Sequence, residues 1–115
     1  MKHFLSLLLV MLVANVPATV ANYSCFGAVS GVSISNGGVV TVSGFGGIQY
    51  GYICQIGASA PNGISSDTCK AIYARLLVAE VTGQQLRVYF NDTLSCTTQP
   101  TWGWLTGLYF GPGTL

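Results

Sequence analysis

Apolar and polar residues alternate along much of the first half of the chain, and this period of two predicts β-strands. The alternation is rough over residues 28–35 and gives way to a β-branched run over residues 39–45. Between them, Asn36-Gly37-Gly38 offers turn residues that tolerate a positive φ, so the two runs predict a β-hairpin. A third strand is expected over residues 48–56. One face of this strand would carry Ile48, Tyr50, Tyr52, Cys54 and Ile56.

The period changes after a Pro-Asn-Gly break, and the residues that follow have the signals of a helix. Ser65 or Ser66 can act as the N-cap, and the carboxylate of Asp67 suits the first turn because the helix dipole is positive there. Gly83 is placed to end the helix. The sequence therefore predicts a helix over residues 67–82.

Apolar residues form two stripes on this predicted helix. The first stripe consists of Cys69, Ile72, Leu76 and Ala79, and the second of Tyr73, Leu77 and Val81. Together the stripes are wider than one contact needs. Two interpretations stay open: the helix packs on the sheet and on a neighbouring subunit, or it is deeply buried within one chain.

Two further strands are expected after the helix, over residues 85–91 and 102–110. The resulting order, β-β-β-α-β-β, is mainly β with one helix between the third and fourth strands. This is the order of an OB-type five-stranded barrel, which is the fold predicted here. The alternative is an open α+β sheet covered by one helix.

The first 21 residues have the pattern of a secretory signal peptide. Lys2 and His3 give a basic start, an apolar run covers residues 4–13, and Thr19 and Ala21 are small residues at the cleavage-control positions. The apolar run is shorter than the ~20 residues of a spanning helix, so no membrane span is expected. Removal of this signal peptide, residues 1–21 of 115, leaves a single secreted or periplasmic domain of 94 residues, 22–115.

All four cysteines lie in residues 22–115, and an even count in a short exported chain predicts two disulfides. The sequence alone allows three pairings. The placement of the elements favours Cys54 with Cys69, because one ends the third strand and the other begins the helix. The remaining pair, Cys25 with Cys96, would join two ends of the barrel wall.

Charged residues are few, and in residues 22–115 they balance to a net charge of zero. They are Lys70, Arg75 and Arg87 against Asp67, Glu80 and Asp92. This balance gives no electrostatic basis for binding nucleic acid or anionic lipid. It also leaves little repulsion between copies, so a homo-oligomer is expected. A monomer whose surface is kept wet by Ser, Thr, Gln and Asn is an equal alternative.

The chemistry of catalysis is sparse in this chain. The single histidine, His3, lies in the predicted signal peptide, so the remaining domain has no imidazole for a triad, a general base or a zinc site. The three carboxylates are separated along the predicted elements, whereas a glycosidase pair must lie within ~5 to 10 Å. We therefore expect no enzyme activity, no metal and no cofactor.

Aromatic side chains are the remaining candidates for binding. An aromatic ring can stack on the apolar face of a pyranose while neighbouring amides and hydroxyls bond its hydroxyl groups, so aromatic and polar neighbours suit neutral sugars. Packing in the core is the commoner role of an aromatic residue on a strand face. The glycan-binding candidates chosen on this ground are Tyr89, Asn91, Trp102 and Trp104.

Four short motifs between residues 52 and 91 carry a family resemblance. Tyr52-Ile53-Cys54 closes a strand, Ser66 to Cys69 opens a helix, Thr82-Gly83-Gln84 forms a turn, and Leu86 to Phe90 is an aromatic strand. This stretch resembles the B subunits of subtilase-cytotoxin and pertussis-like bacterial toxins, or a related small exported bacterial OB-fold protein.

The resemblance implies an OB-fold, a ring pentamer that binds cell-surface glycans, and a catalytic A subunit as partner. In that family a serine after the first strand region contacts the sugar. Its possible counterparts in this chain are Ser30, Ser33 and Ser35.

The function predicted from the sequence is a non-enzymatic exported binding protein, a self-associating, glycan-binding subunit like those of the toxins. The alternative is a small secreted or periplasmic structural or inhibitory protein that acts through a protein interface. A single-strand nucleic-acid binder is suggested by the OB-type fold alone, and both zero net charge and export argue against it.

Overall fold

The computed structural model describes residues 22–114, and the predicted signal peptide at residues 1–21 lies outside them. The described part of the chain forms seven strands and one helix. In chain order they are β1 Tyr23–Gly27, β2 Val29–Ser30, β3 Ser33–Ile34, β4 Val39–Phe45, β5 Ile48–Gln55, α1 Ser66–Thr82, β6 Leu86–Phe90 and β7 Leu108–Gly113. The prediction of a mainly β fold with one helix is confirmed.

The strands pair into two sheets. The first sheet has the antiparallel order β1-β6-β7, and in the second sheet β4 pairs with β2, β3 and β5. The chain passes from the first sheet to the second between Gly27 and Val29, where Gly27 lies against Gly46. Within residues 22–114 no hydrogen-bond ladder joins the two sheets, so the strands are not closed into the predicted barrel.

The first predicted strand, residues 28–35, is wrong as a single element. It consists of β2 and β3, both of which pair with β4. Gly31 separates them because its φ of 63° leaves the extended region. Strand β1 was not predicted from the sequence. It pairs with β6 from Tyr23 opposite Phe90 to Gly27 opposite Leu86.

The hairpin between β3 and β4 was predicted, but its turn uses fewer positive φ angles than expected. The amide of Gly38 donates to the carbonyl of Ser35 at 2.9 Å, which closes a four-residue turn. Within this turn only Gly38 has a positive φ, of 89°, so Asn36 and Gly37 keep ordinary backbone conformations.

The expected alternation along the third strand fails in two places on β5. Tyr50 has a φ of 50°, and its side chain is exposed. Further along, Val40 pairs with Cys54 while Thr41 pairs with Tyr52, so Ile53 is an extra residue on β5 and forms a β-bulge. These irregularities bring both Ile53 and Cys54 into the core and expose Tyr50.

The helix α1 has the predicted caps. Ser65 is the N-cap, its Oγ accepts from the amide of Thr68, and Gly83 ends the helix in the left-handed conformation. The first apolar stripe, Cys69, Ile72, Leu76 and Ala79, is buried. In the second stripe Leu77 and Val81 are exposed, so deep burial of the whole helix in one chain is wrong. Helix α1 is the single helix of the described residues, and it is not long and apolar enough to cross a membrane.

The last predicted strand begins six residues too early. Residues 102–107 form turns and one isolated parallel bridge, Trp104 with Tyr52, and β7 begins only at Leu108. The reason is that Trp102 and Gly107 have φ values of 55° and 74°, which an extended strand does not allow.

Both disulfides pair as the placement of the elements favoured. Cys54 bonds Cys69 across 15 residues, and Cys25 bonds Cys96 across 71 residues. They indicate an oxidising compartment.

The core lies between the sheets and α1. It is formed by fully buried side chains, chiefly Val40, Val42, Ile48, Leu76, Leu86, Val88, Phe90 and Leu105.

Candidate functional site

A groove of about 340 Å³ opens on the second sheet, beside the turn that begins at residue 102. We call it the hydroxyl–aromatic groove. It is lined by Ser33, Ile34, Ser35, Val39, Thr41, Tyr52 and Trp102. None of these side chains carries a charge, and three of them are aliphatic hydroxyls.

The floor of the groove is a row of polar side chains across three neighbouring strands. Ser33 of β3 lies opposite Thr41 of β4, and Thr41 lies opposite Tyr52 of β5. Side chains of directly paired residues share a sheet face and stand about 5 Å apart. The strand pairing therefore places three hydroxyl-bearing side chains in one row on the same sheet face.

The hydroxyl of Ser35 stands at the turn end of this row. Its Oγ accepts from the amides of Gly37 at 3.2 Å and Val39 at 3.1 Å. A serine hydroxyl also has one proton to donate, and within residues 22–114 that proton has no acceptor. Ser35 can therefore donate a hydrogen bond to a ligand in the groove.

Trp102 forms one wall and is the most exposed aromatic residue of the groove. Its side chain is 62% exposed, and its ring stacks on Tyr50 with 4.5 Å between centroids and 17° between planes. Both residues have a positive φ, 50° for Tyr50 and 55° for Trp102. Such angles are rare for bulky residues and persist only where the surrounding structure imposes them.

Backbone hydrogen bonds impose this conformation. The Trp102 amide donates to the Tyr50 carbonyl at 2.8 Å, the Tyr52 amide donates to Gly103 at 2.8 Å, and the Leu105 amide donates to Tyr52 at 2.9 Å. Leu105 is buried and comes close to Gly51, where any β-carbon would be 2.6 Å from its side chain. The turn that carries Trp102 is therefore attached to the exposed edge of β5.

The sequence-predicted binding residues fall into two groups in the structure. Ser33, Ser35 and Trp102 meet in the groove. The other predicted residues do not line it, and Trp104 supports it indirectly because its ring contacts Tyr52 edge-to-face at 5.7 Å.

Three of the predicted residues lie away from the groove. Ser30 lies on β2, and its hydroxyl donates to the carbonyl of Gly44 at 3.4 Å. Tyr89 lies on β6 near the rings of Tyr109 and Phe110, and Asn91 directly follows that strand. Ser30 belongs to the second sheet but lies outside the lining of the groove, whereas Tyr89 and Asn91 lie on β6 or directly after it in the first sheet, so none of the three forms a site with Trp102.

A polar network that the sequence reading missed holds the segment between β6 and β7. The Tyr23 hydroxyl donates to Asp92 Oδ1 at 2.6 Å, and Gln99 Nε2 donates to Asp92 Oδ2 at 3.1 Å. Gln99 is buried, and its amide also bonds the backbone of Thr106 in both directions, at 2.9 and 3.0 Å. No local motif marks these residues, because they converge only after the segment folds back on itself.

The network shifts the titration of its two ionisable groups. Burial raises the pKa of the Asp92 carboxyl, but hydrogen bonds from Thr106, Tyr23, Leu94 and Gln99 outweigh burial and hold the pKa below its usual value. Burial, followed by the hydrogen bond to Asp92, raises the pKa of Tyr23 to about 12. The network is therefore an ionised carboxylate held by neutral donors at neutral pH.

The other carboxylates of the described chain also have structural partners. Glu80 accepts from the amides of Gly31 at 2.7 Å and Val32 at 3.3 Å, which ties α1 to the β2–β3 connection. Asp67 is exposed and pairs with Lys70 at 3.6 Å. Among residues 22–114 no three His, Cys, Asp or Glu side chains are grouped to hold a metal ion.

Exposed apolar side chains also occur away from the groove. On the first sheet, Phe26, Tyr109 and Phe110 are exposed, and the guanidinium of Arg87 lies 4.6 Å from the centre of the Phe26 ring. On α1 the most exposed apolar side chain is Val81, at 85%.

Comparisons of the chain with protein-family models, with curated proteins and with solved structures give no match.

Proposed function

We propose that this chain is a non-enzymatic, exported binding protein that holds a neutral glycan in the hydroxyl–aromatic groove. The observation that carries the proposal is the exposed ring of Trp102 beside a line of uncharged hydroxyl groups. The apolar surface of an exposed indole is unfavourable in water. The C–H face of a sugar can cover this surface while the sugar hydroxyls form hydrogen bonds with the hydroxyl groups of the groove.

The chemistry of the lining favours a neutral ligand. Ser33, Ser35, Thr41 and Tyr52 each offer a hydroxyl that can both donate and accept, as sugar hydroxyls do. No charged side chain lines the groove, so a carboxylate or phosphate would lose hydration without gaining an ion pair. The volume of about 340 Å³ lies at the small end of ligand sites, which suits a short glycan segment.

The rigid attachment of Trp102 supports binding as its role. Three backbone hydrogen bonds hold the turn that carries Trp102, and the stack on Tyr50 holds its indole, before any ligand arrives. A pre-ordered ring loses little conformational freedom on binding, so more of the contact energy appears as affinity. Backbone strain of this kind is concentrated at functional sites.

A binding role without catalysis is supported by the carboxylates, which are engaged in hydrogen bonds within the fold. Asp92 accepts hydrogen bonds within the polar network, and Glu80 accepts two backbone amides. Residues 22–115 contain no histidine, so general acid–base chemistry near neutral pH has no ordinary carrier in this part of the chain.

Export and assembly complete the proposal. Residues 1–21 would direct secretion or periplasmic delivery, which agrees with the two disulfides. The resemblance over residues 52–91 suggests an OB-type subunit that self-associates, as a pentamer if it is toxin-B-like, with a catalytic A subunit as partner. Zero net charge over residues 22–115 favours contact between copies.

A Trp102→Ala variant tests the binding site. The oxidised protein is titrated with neutral oligosaccharides selected on a glycan array, and affinity is followed by tryptophan fluorescence and calorimetry. Loss of the stacking face should weaken binding at least tenfold, since stacking and burial of an aromatic ring contribute about 1.5–3 kcal/mol.

Tyr109→Ala is the matched control, because Tyr109 is an exposed aromatic residue on the other sheet. It should bind like the wild type. Equal affinities of the wild type and Trp102→Ala, or a glycan array without any signal from well-folded protein, would contradict the proposal.

A second candidate function is a structural or inhibitory protein that acts through a protein interface. It is favoured by the exposed apolar residues Val78 and Val81 on α1 and by Phe26 and Phe110 on the first sheet. Light scattering over a tenfold concentration range separates the two, because a persistent monomer without a glycan signal supports this candidate. A stable oligomer that binds glycans supports the first.

A further inference from the structure

Two Asn-Gly pairs occur in loops of the chain, Asn36–Gly37 and Asn62–Gly63, and the structure holds them in different ways. Asn-Gly is the dipeptide most open to cyclisation, because glycine has no side chain to crowd its amide nitrogen. Whether an Asn-Gly pair reacts in a folded protein depends on how firmly its side chain and backbone are held.

Asn62 is locked. Its Nδ2 donates to the carbonyls of Ile53 at 2.8 Å and Leu105 at 3.1 Å, and its side chain is half-buried. The amide of Gly63 donates to Ala60 at 2.9 Å. To cyclise, this pair would have to break three hydrogen bonds to backbone carbonyls, so the folded protein protects it.

Asn36 is free. Within residues 22–114 its side chain has no hydrogen-bond partner, and Asn36 and Gly37 are both exposed at the tip of the β3–β4 turn. The amide of Gly37 donates only to the hydroxyl of Ser35, at 3.2 Å on the surface, where water can replace that partner.

We propose that Asn36 is a modification site, where spontaneous deamidation reshapes the wall of the hydroxyl–aromatic groove. The amide nitrogen of Gly37, after losing its proton to solvent, forms a bond with the side-chain carbonyl carbon of Asn36. The carbon–nitrogen bond of the Asn36 amide breaks, and ammonia leaves with a proton from solvent. Water then opens the cyclic imide at either carbonyl, giving aspartate or isoaspartate at position 36.

The consequence for the groove follows from the turn geometry and rests on the proposed function. Ser35 and Val39 line the groove, and they are joined by the hydrogen bond from the Ser35 amide to the Val39 carbonyl at 2.9 Å. Isoaspartate adds one methylene to the main chain between them, inside the turn closed by Gly38 and Ser35. Both products also place a negative charge beside an uncharged lining, so deamidation should weaken the binding of a neutral glycan.

The first measurement is peptide mapping by mass spectrometry of the folded, oxidised protein during incubation in mildly alkaline buffer at physiological temperature. We expect Asn36 to gain the mass of an amide-to-acid exchange and to yield an isoaspartate isomer, while Asn62 stays intact. In denaturant both pairs should react at similar rates. Equal reactivity of the two pairs in the folded protein, or an unreactive Asn36, would overturn the proposal.

Gly37→Ala provides the blocked variant. The φ of Gly37 is not positive, and a β-carbon there meets only Ser35 Oγ, at 3.7 Å, so the turn accepts alanine. The methyl group crowds the attacking nitrogen, and we expect incubation to leave this variant largely unchanged. Asn36→Asp reproduces the added charge without the extra methylene, which separates the two effects.

The effect on the groove is measured on the same samples. Incubated wild type should bind neutral oligosaccharide roughly five- to tenfold more weakly than fresh protein, as expected for a lost hydrogen bond, while incubated Gly37→Ala should not change. Unchanged affinity after complete deamidation would refute the effect on the groove.

A measurement that needs no ligand separates the effect of deamidation on the groove from the proposed function. Amide resonances of Ser33, Ser35 and Thr41 should shift when isoaspartate forms, whether or not the fresh protein binds a glycan. Failure of the fresh protein to bind would overturn the proposed function alone, and static resonances would overturn the reshaping of the groove wall.

Discussion

Replacement of Asp92 by alanine tests whether the polar network holds the segment that carries Trp102. Asp92 accepts four hydrogen bonds, from the Tyr23 hydroxyl, Gln99 Nε2, the Thr106 hydroxyl and the Leu94 amide. Each bond to a charged acceptor contributes about 1.5–3 kcal/mol where water is excluded. The total effect is smaller, because the Thr106 and Leu94 donors are exposed and regain water.

The part-buried Tyr23 hydroxyl determines the remaining cost, because it loses its acceptor, whereas both protons of Gln99 Nε2 keep one. Gln99 Nε2 loses Asp92 but keeps the Tyr23 oxygen at 2.8 Å and the Thr106 carbonyl at 2.9 Å. We therefore expect Asp92→Ala to lower the free energy of unfolding by about 2–3 kcal/mol. For a domain of this size that corresponds to a fall in Tm of roughly 10–20 °C.

Urea unfolding followed by circular dichroism measures the change, with Asp67→Ala as the control. Asp67 is an exposed carboxylate whose ion pair with Lys70 lies on the surface, so its loss should change stability by less than about 0.5 kcal/mol. A change of that small size for Asp92→Ala as well would refute the view that the network holds the segment.

The same network predicts the pH dependence of stability on both sides of neutrality. The pKa of Asp92 is lowered by folding, so its stabilisation is present above the usual carboxyl pKa and is lost as pH falls through the folded value. The pKa of Tyr23 is raised to about 12, so its stabilisation is present below about 10 and is lost as pH rises towards 12. Asp92→Ala should flatten the acid limb, and an unchanged limb would contradict this assignment.

Two further predictions concern the attachment of the segment. Replacing Cys25 and Cys96 together by serine should lower stability by about 4 kcal/mol, since the bridge closes a loop of 71 residues, and an unchanged urea midpoint would contradict this. Gly51→Ala should lower the free energy of unfolding by about 1–3 kcal/mol and also weaken glycan binding, because its β-carbon would displace Leu105 and with it the turn that carries Trp102. Calorimetry measures the stability and glycan titration measures the affinity. Wild-type values in both would refute this prediction.

The elements predicted well from the sequence are those determined by local pattern. The β-branched run became β4 with the expected bounds, the strand predicted over residues 85–91 became β6 with one residue fewer at each end, and α1 began one residue before the expected start. In each case the period, the caps and the turn residues agree, so neighbouring residues contain enough information.

The elements predicted poorly depend on partners distant in the chain. β1 has no clear alternation, and it is a strand because β6 pairs with it. Residues 102–107 contain aromatic residues typical of strands, yet the Trp102 turn is set by bonds to Tyr50 and Tyr52 about fifty residues earlier. Single-chain pattern cannot show such pairing.

The candidate site was predictable only in part for the same reason. The aromatic argument pointed to Trp102 and the family resemblance pointed to Ser33 and Ser35, and the three residues meet in the groove. The aromatic argument also selected Tyr89 and Asn91, because the sequence does not show that they lie at a different sheet. The β3–β4–β5 register, which aligns Thr41 and Tyr52 with the predicted serines, becomes visible only in the fold.

The most direct test of the central claim is a nitrogen–proton correlation spectrum of the protein during titration with a neutral oligosaccharide. The chain has two tryptophans, Trp102 and Trp104, so two indole signals report on the groove wall and on the ring behind Tyr52. We predict a saturable shift of the Trp102 indole together with the amides of Ser33, Ser35 and Thr41, and a smaller shift of Trp104. Static groove signals with every neutral glycan tested, or shifts confined to the first sheet around Tyr89 and Tyr109, would contradict the account.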